Sequence, residues 1–277
     1  MTWRDGQSRK DTSDVRVVQV AVPIQAVTRD RAVRDFDRAS VAAGRSPGKR
    51  LVVRRTGVLA GIGTAYKDIA NQGDGTVVQP SAATVYVWSA EATDTAAGTG
   101  VRTVTLGGIQ TTTGALVEET VSMNGTTVVA STYIYDAILY ARPASVGSAA
   151  AQAGVISFGT ANKGTTWAKL TASSDDFTGE IQHAWDRVPT GYVLVLDRAR
   201  VGMLDTTAVG AARLQVKATG SVWRTIALWG VAAGVWSTFD FEGMEAIPAG
   251  SIVRLQGKTW ADTDTFFGSF TGILMPV

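Results

Sequence analysis

The sequence contains no cysteine and a single histidine among its 277 residues. Without cysteine, disulfide bridges, thiolate metal ligands and cysteine nucleophiles are all excluded. Because His183 is the one histidine, a metal site built from several histidines is excluded too, and zinc or iron chemistry is not expected. We therefore predict that the protein carries no cofactor and no metal site.

Charged residues and long apolar runs are also scarce. Charged side chains make up 18% of the chain, against roughly 25% in ordinary soluble domains, which suggests that neighbouring subunits cover part of the surface. The longest apolar stretch, Ile226 to Trp236, has 11 residues, whereas a membrane-spanning helix needs about 20. The first residues lack the apolar run of a secretory signal. We expect no membrane partner.

What the sequence does have is Val, Thr, Ala and Gly in short runs of period two, separated by small polar residues. This pattern is typical of strands in sandwiches and barrels. We predict an all-β fold with one or two antiparallel β-sandwich (jelly-roll-like) units and an extended N-terminal arm. The predicted strands lie at 84–88, 101–106, 116–123, 126–130, 155–158, 165–170, 191–201, 211–217, 222–229, 235–241, 251–260 and 266–274.

Two turn signals organise these strands. Asn124-Gly125 stands between two alternating runs, and this dipeptide predicts a hairpin because both residues tolerate positive φ. The segment from Arg142 to Gly154 is rich in Ala, Ser and Gly and contains Pro143, which predicts a linker or a long loop. We therefore divide the chain into an arm (1–57), a first β unit (58–145) and a C-terminal β-sandwich (146–277).

The predicted arm differs from the rest of the chain in charge. Residues 1–57 hold 13 Lys and Arg against 6 Asp, a balance of +7, while residues 58–277 hold 13 against 18, a balance of −5. Residues 28–43 fit either a short helix or an extended strand coated with arginines. The arginines that we assign to inter-subunit contacts are Arg29, Arg31, Arg34, Arg38, Arg50, Arg54 and Arg55.

Two partners for this basic arm are open. It could contact the phosphates of packaged DNA, or it could pair with acidic surface on a neighbouring copy. We favour the neighbouring copy, because the arm also carries six Asp, which weaken a DNA-binding strip.

Few residues could support catalysis or bind an ion. His183 alternates with Ile181 in a predicted strand, where a packed histidine is expected more often than a general base. Three carboxylate pairs could serve glycoside hydrolysis, and two loops could offer oxygen ligands to calcium, but turn carboxylates usually bond their own backbone. The pairs are Asp175 with Asp176, Glu118 with Glu119, and Asp262 with Asp264, and the loops are 73–75 and 262–264. We predict no catalytic residue and no metal ligand.

The sequence contains eight tryptophans. Trp223, Trp229, Trp236 and Trp260 fall within predicted strands and alternate with apolar residues. Such residues form a core or a subunit interface, or else an exposed platform that stacks on sugar rings or bases. We favour the core or interface and keep glycan binding as the alternative.

Several motifs resemble virion structural proteins of tailed bacteriophages, many of them from aquatic bacteria. The motifs are the run from Ser89 to Leu106, Glu118 to Thr126, Val188-Pro189-Thr190-Gly191-Tyr192, Val222-Trp223-Arg224 and Ile247-Pro248-Ala249-Gly250-Ser251. The resemblance covers about residues 84–277, and residues 1–57 match nothing in that group.

This resemblance implies a non-enzymatic virion component, made in many copies and assembled in the host cytoplasm. It implies a homo-oligomer that also contacts other virion proteins, in the capsid, the neck or the tail. The alternative is a host-surface glycan-binding module of a tail or capsid appendage.

Overall fold

The computed structural model describes residues 51–71, 75–171, 179–204, 209–241, 246–260 and 264–277. Within these ranges all regular secondary structure is β-strand, and fifteen strands form three sheets. The predicted all-β class is confirmed. The segment 1–50, including residues 28–43 that fit either a helix or a strand, lies outside the described residues.

One sheet has six strands in the order β5-β4-β6-β3-β7-β8. Its register pairs are all antiparallel. Its strands are β3 (Ala83–Ser89), β4 (Val101–Gln110), β5 (Leu116–Ser122), β6 (Val129–Val146), β7 (Ile156–Gly159) and β8 (Thr166–Leu170).

The other two sheets contain the remaining strands. The four-stranded sheet has the order β1-β15-β10-β13, and the five-stranded sheet has β12-β11-β14-β2 with β9 also paired to β14. Their strands are β1 (Leu51–Ile62), β2 (Lys67–Asp68), β9 (Trp185–Arg187), β10 (Tyr192–Met203), β11 (Val209–Lys217), β12 (Arg224–Ala232), β13 (Ser237–Asp240), β14 (Ile252–Thr259) and β15 (Asp264–Pro276).

These two sheets pack face to face as a β-sandwich around one apolar core. Strand β15 shows how the sequence specifies this core, because buried and half-buried residues alternate along it. Phe266, Phe270 and Leu274 point inward from β15 and meet residues of β14 and β10. Burying one such side chain contributes roughly 1.5–3 kcal/mol. Gly257 faces the Phe266 ring, and a Cβ there would lie 2.5 Å from it.

A separate apolar cluster joins the six-stranded sheet to the five-stranded sheet. Ile109, Ala137 and Leu139 of the six-stranded sheet contact Trp185 of β9, with Ile252 of β14 packed against them. The outer face of β9 and one end of β14 is therefore covered.

The predicted hairpin at Asn124-Gly125 is wrong. Strand β4 lies between β5 and β6 in the sheet, so the strands on either side of the dipeptide are not partners. Gly125 does have a positive φ of 59°, but Asn124 forms an isolated bridge with Thr95. A local turn signal cannot specify which strand becomes the neighbour, and here β4 and β5 form the hairpin instead.

The predicted linker at 142–154 is also partly wrong. Strand β6 continues to Val146 and keeps pairing with β4 through several bulges, which accommodate Pro143. Beyond it, β7 joins the six-stranded sheet by pairing with β3, and β8 pairs with β7. Sheet pairing thus crosses the boundary proposed at residue 145, and the division into domains stays a prediction. Residues 51–57, assigned to the arm, lie in β1.

One buried carboxylate fixes the loops at the edge of the six-stranded sheet. Asp94 is fully buried. It accepts hydrogen bonds from the backbone N–H groups of Val101, Ala153 and Gly154 and from the hydroxyl of Ser89. Its two oxygens therefore tie the loops before β4 and before β7 to the end of β3.

Candidate functional site

A surface groove of about 520 Å³ opens beside the four-stranded sheet. It is lined by strands β1, β10 and β15 and by the turn between β12 and β13. Leu204, Val235 and Trp236 stand around it with 63%, 55% and 61% of their surface exposed. Contiguous exposed apolar residues of this kind mark interaction surfaces in soluble proteins.

Trp236 is held in place although it is exposed. Its indole lies over Gly202 of β10, where a Cβ would be 3.1 Å from the ring. The Phe267 ring lies at a centroid distance of 6.4 Å. Since Gly202 leaves a shallow depression for the indole, the aromatic surface is presented to solvent in a fixed orientation. The sequence signal for this site was the apolar pair Val235-Trp236 directly after Gly234 in a turn.

The other three candidate tryptophans have different surroundings. Trp229 lies in β12, stacks on Phe239 at 5.5 Å and packs against the sandwich core. Trp223 precedes β12 and covers the guanidinium of Arg254 at 3.7 Å. Trp260 follows β14 and is 57% exposed.

The expectation that all four tryptophans lie within strands is therefore wrong for three of them. Only Trp229 is in a strand, whereas Trp223, Trp236 and Trp260 flank strands. Across the described part of the chain, no ring contact joins any two of the four.

Two of the seven arginines assigned to the arm are described, and both belong to β1. Arg54 is exposed and lines the groove. Arg55 has an intrachain partner, because its Nε lies 3.2 Å from Asp186, whose side chain is 3% exposed. Local sequence does not reveal this intrachain contact, and the assignment of Arg55 to an inter-subunit contact stays a prediction. The others, Arg29, Arg31, Arg34, Arg38 and Arg50, lie outside the described residues.

His183 is fully enclosed near this ion pair. It is 1% exposed, with Trp185 edge-on at a centroid distance of 6.2 Å. Burial lowers the pKa of His183 to about 3, and the positive charge of Arg55 adds to the shift while the Leu139 backbone opposes it. The ring is therefore neutral at pH 7, and such a weak base is poorly suited to general base catalysis. His183 forms an isolated bridge with Ala70, not the strand we predicted.

The carboxylate pair Glu118–Glu119 is split between the two faces of β5, as neighbouring strand residues must be. Glu119 accepts a hydrogen bond of 2.7 Å from the Tyr135 hydroxyl, and Glu118 one of 2.6 Å from Tyr140. Burial, followed by the bond to Glu118, raises the pKa of Tyr140 to about 12. The two carboxylates hold separate tyrosines and do not converge.

The remaining carboxylate candidates are mostly undescribed. Asp175, Asp176, Asp262 and the loop residue Asp74 lie outside the described residues. Asp264 begins β15, is 8% exposed and accepts a hydrogen bond from the Thr265 N–H. Where the structure is described, no three Asp, Glu or His side chains gather closely enough to hold a metal ion.

Comparisons with known proteins do not assign the chain to a family. No family model matches the chain, and no curated protein matches it. A structure of infectious bursal disease virus, Gt strain, shares 13% identity over 87% of this chain and 78% of its own, with a TM-score of 0.22. The VP2 subviral particle of the same virus shares 11% identity over 87% and 77%, with a TM-score of 0.20. Scores this low carry no argument about fold or function.

None of the described residues lies in a helix long and apolar enough to cross a membrane.

Proposed function

We propose that this protein is a non-enzymatic structural subunit of a virion, of the tailed-bacteriophage type that the sequence motifs resemble. Many copies associate with one another and with other virion proteins in the capsid, the neck or the tail. The observation that carries the proposal is the groove with Leu204, Val235 and Trp236 exposed around it. Exposure of such an apolar surface to water costs about 25 cal/mol of free energy for each Å². A neighbouring subunit that covers the surface removes this cost.

The leading segment supplies a suitable occupant for the groove of a neighbouring copy. Residues 15–22 (VRVVQVAV) are mostly valine, a residue that favours extended strands, and they precede β1 by about thirty residues. An extended segment of that kind can lay one apolar face along a groove. Among the described residues, the groove lining contains Arg54 and no carboxylate, so this contact is apolar. The arginines of the arm would pair with acidic surface elsewhere on the neighbouring body, whose formal charge over 58–277 is −5.

The test is self-association of the full-length chain, measured by sedimentation velocity over a range of concentrations. We expect concentration-dependent assembly of the wild type and its loss in Trp236→Asp and Leu204→Asp. Trp260→Asp is the matched control, because Trp260 is exposed to a similar degree but does not line the groove. A wild-type chain that stays monomeric throughout, or a control that fails equally, would overturn the proposal.

Glycan binding is the second candidate function. It is favoured by the exposure of Trp236 and Trp260, since such rings pack against sugar faces. A glycan array on the full-length protein tests it. Binding that disappears in Trp236→Ala and Trp260→Ala, with assembly intact, supports recognition over assembly.

A further inference from the structure

The outer face of β11 and β14 carries a ladder of four cations. The two strands pair in register, with Gln215 opposite Arg254 and Arg213 opposite Gln256. Ala211 lies opposite Lys258 and Lys217 opposite Ile252, so each of four successive rows on this face holds one cation. Rows on one face of a sheet recur at about 7 Å. The cations alternate between the strands along the order Lys217, Arg254, Arg213, Lys258, which we call the cationic ladder.

Neighbouring side chains hold both guanidinium groups in place. The Arg254 Nε and Nη2 donate to the Gln215 side-chain oxygen at 3.1 and 2.9 Å, and Trp223 covers the guanidinium plane at 3.7 Å. Arg213 Nε donates to Gln256 at 2.8 Å, and the Tyr66 ring lies 4.0 Å from the guanidinium. These contacts fix the charges before any ligand arrives, which lowers the entropic cost of binding.

Little negative charge compensates the ladder. Asp68 is 3% exposed, lies 3.5 Å from Arg254 and accepts a hydrogen bond from Gln256. The ammonium groups of Lys217 and Lys258 are near aromatic rings, at 5.9 Å from Trp223 and 4.9 Å from Tyr66. Within the described residues neither ammonium has a carboxylate partner. The four cations and Asp68 together give this face a net charge of three positive units, although the body over 58–277 is acidic as a whole.

We propose that the cationic ladder binds a linear polysaccharide bearing carboxylate or sulfate groups. The terminal nitrogens of Arg213 form a planar fork that matches either anion, and the two lysines add point charges on the rows beyond. Trp223 and Tyr66 flank the ladder and give sugar rings an apolar surface. The cationic ladder lies on the five-stranded sheet and the groove beside the four-stranded sheet, so polysaccharide binding does not depend on the proposed assembly.

Nucleic acid fits this surface less well. Duplex DNA carries one negative charge for about each 1.7 Å of its axis, whereas the rows of the ladder recur at about 7 Å, so most phosphates along the ladder would lie without a cation. Single strands bind by stacking successive bases on exposed rings. Here the two rings lie against guanidinium groups, one face of each being covered, and they provide no continuous platform. A polysaccharide needs anion contacts only at intervals, which suits cations that are spaced one to a row.

The test measures binding of the full-length protein to alginate, to dextran sulfate and to uncharged dextran by biolayer interferometry at low and high salt. We expect salt-sensitive binding to one or both anionic polymers and none to dextran. Lys217→Glu with Lys258→Glu should weaken it at least about tenfold, since two attractive contacts become repulsive. The matched control is Lys169→Glu with Arg142→Glu, an equal change of charge on the six-stranded sheet, which should leave binding within about twofold.

Trp223→Leu tests whether the aromatic contact contributes to binding in addition to the charge of the ladder. It leaves all four cations and should weaken polysaccharide binding several-fold. Thermal unfolding and circular dichroism of every variant confirm that it is folded. The proposal is overturned by equal losses in the control pair, by no binding to either polymer, or by tighter binding to single-stranded DNA than to both, which would make the ladder a nucleic-acid site.

Discussion

The hydroxyl of Ser89 donates a hydrogen bond of 2.6 Å to the fully buried carboxylate of Asp94. The backbone N–H groups of Val101, Ala153 and Gly154 also donate hydrogen bonds to that carboxylate. A buried charge is stable in a protein only when such donors surround it.

Asp94→Ala should therefore destabilise the protein by about 3–5 kcal/mol, because four donors lose their acceptor in a dry site. Chemical denaturation measures the change. Asp240→Ala is the matched control, since the side chain of Asp240 is 46% exposed in its ion pair with Arg198, and such pairs are worth about 0–1 kcal/mol. Equal losses in the two variants would contradict the structural role of Asp94.

Removing Arg55 should leave Asp186 as an unpaired charge in the interior. We expect Arg55→Ala to lower the free energy of unfolding by about 3–5 kcal/mol at neutral pH. Burial raises the pKa of Asp186 while Arg55 lowers it, so the variant should regain part of its stability as the pH falls and the carboxyl takes up a proton. The double variant Arg55→Ala with Asp186→Ala should be more stable than Arg55→Ala alone. A pH-independent loss would argue that packing, not charge, is responsible.

His183 should make the fold sensitive to acid. Its pKa is about 3 in the native state, against 6.5 for an unperturbed histidine, so the unfolded chain binds more protons between these values and stability rises with pH. As the pH falls from 6.5 towards 3, the wild type should lose about 1.4 kcal/mol for each pH unit relative to His183→Gln. Denaturant midpoints of both proteins at several pH values give this difference. Parallel pH profiles would rule out a neutral native histidine.

Gly257 should be intolerant of even one methyl group. In Gly257→Ala the added Cβ would lie 2.5 Å from the buried Phe266 ring, and the strain should cost about 1–3 kcal/mol. Gly230 in β12 is the control, because a Cβ there meets nothing within 4 Å. Gly230→Ala should be neutral or stabilising by about 0.4–1 kcal/mol, since it restricts the unfolded chain. Thermal unfolding of the pair decides the matter.

Strands such as β4, β10 and β15 could be predicted because burial of one or both faces leaves a pattern in consecutive residues. Strand β6 was harder, since Ala141-Arg142-Pro143-Ala144-Ser145 has neither alternation nor bulky side chains. Its pairing with β4 is what makes it a strand.

The sites depend on residues far apart in sequence. Arg55 and Asp186 are separated by 131 positions, and no local pattern relates them. The cationic ladder exists only through the register of β11 against β14, so its four cations look scattered in the sequence. The exposed Trp236 was identified as a candidate, but its seat on Gly202 depends on the pairing of distant strands.

Strand β1 has β15 as its neighbour, while the whole six-stranded sheet is formed by residues between them. On the ribosome, β1 must therefore wait for β15 to be synthesised, while the six-stranded sheet can already form. Such long-range closure slows folding and leaves the apolar face of β1 uncovered in the nascent chain. Synthesis of β15 is thus the step that allows the sandwich to reach its native form.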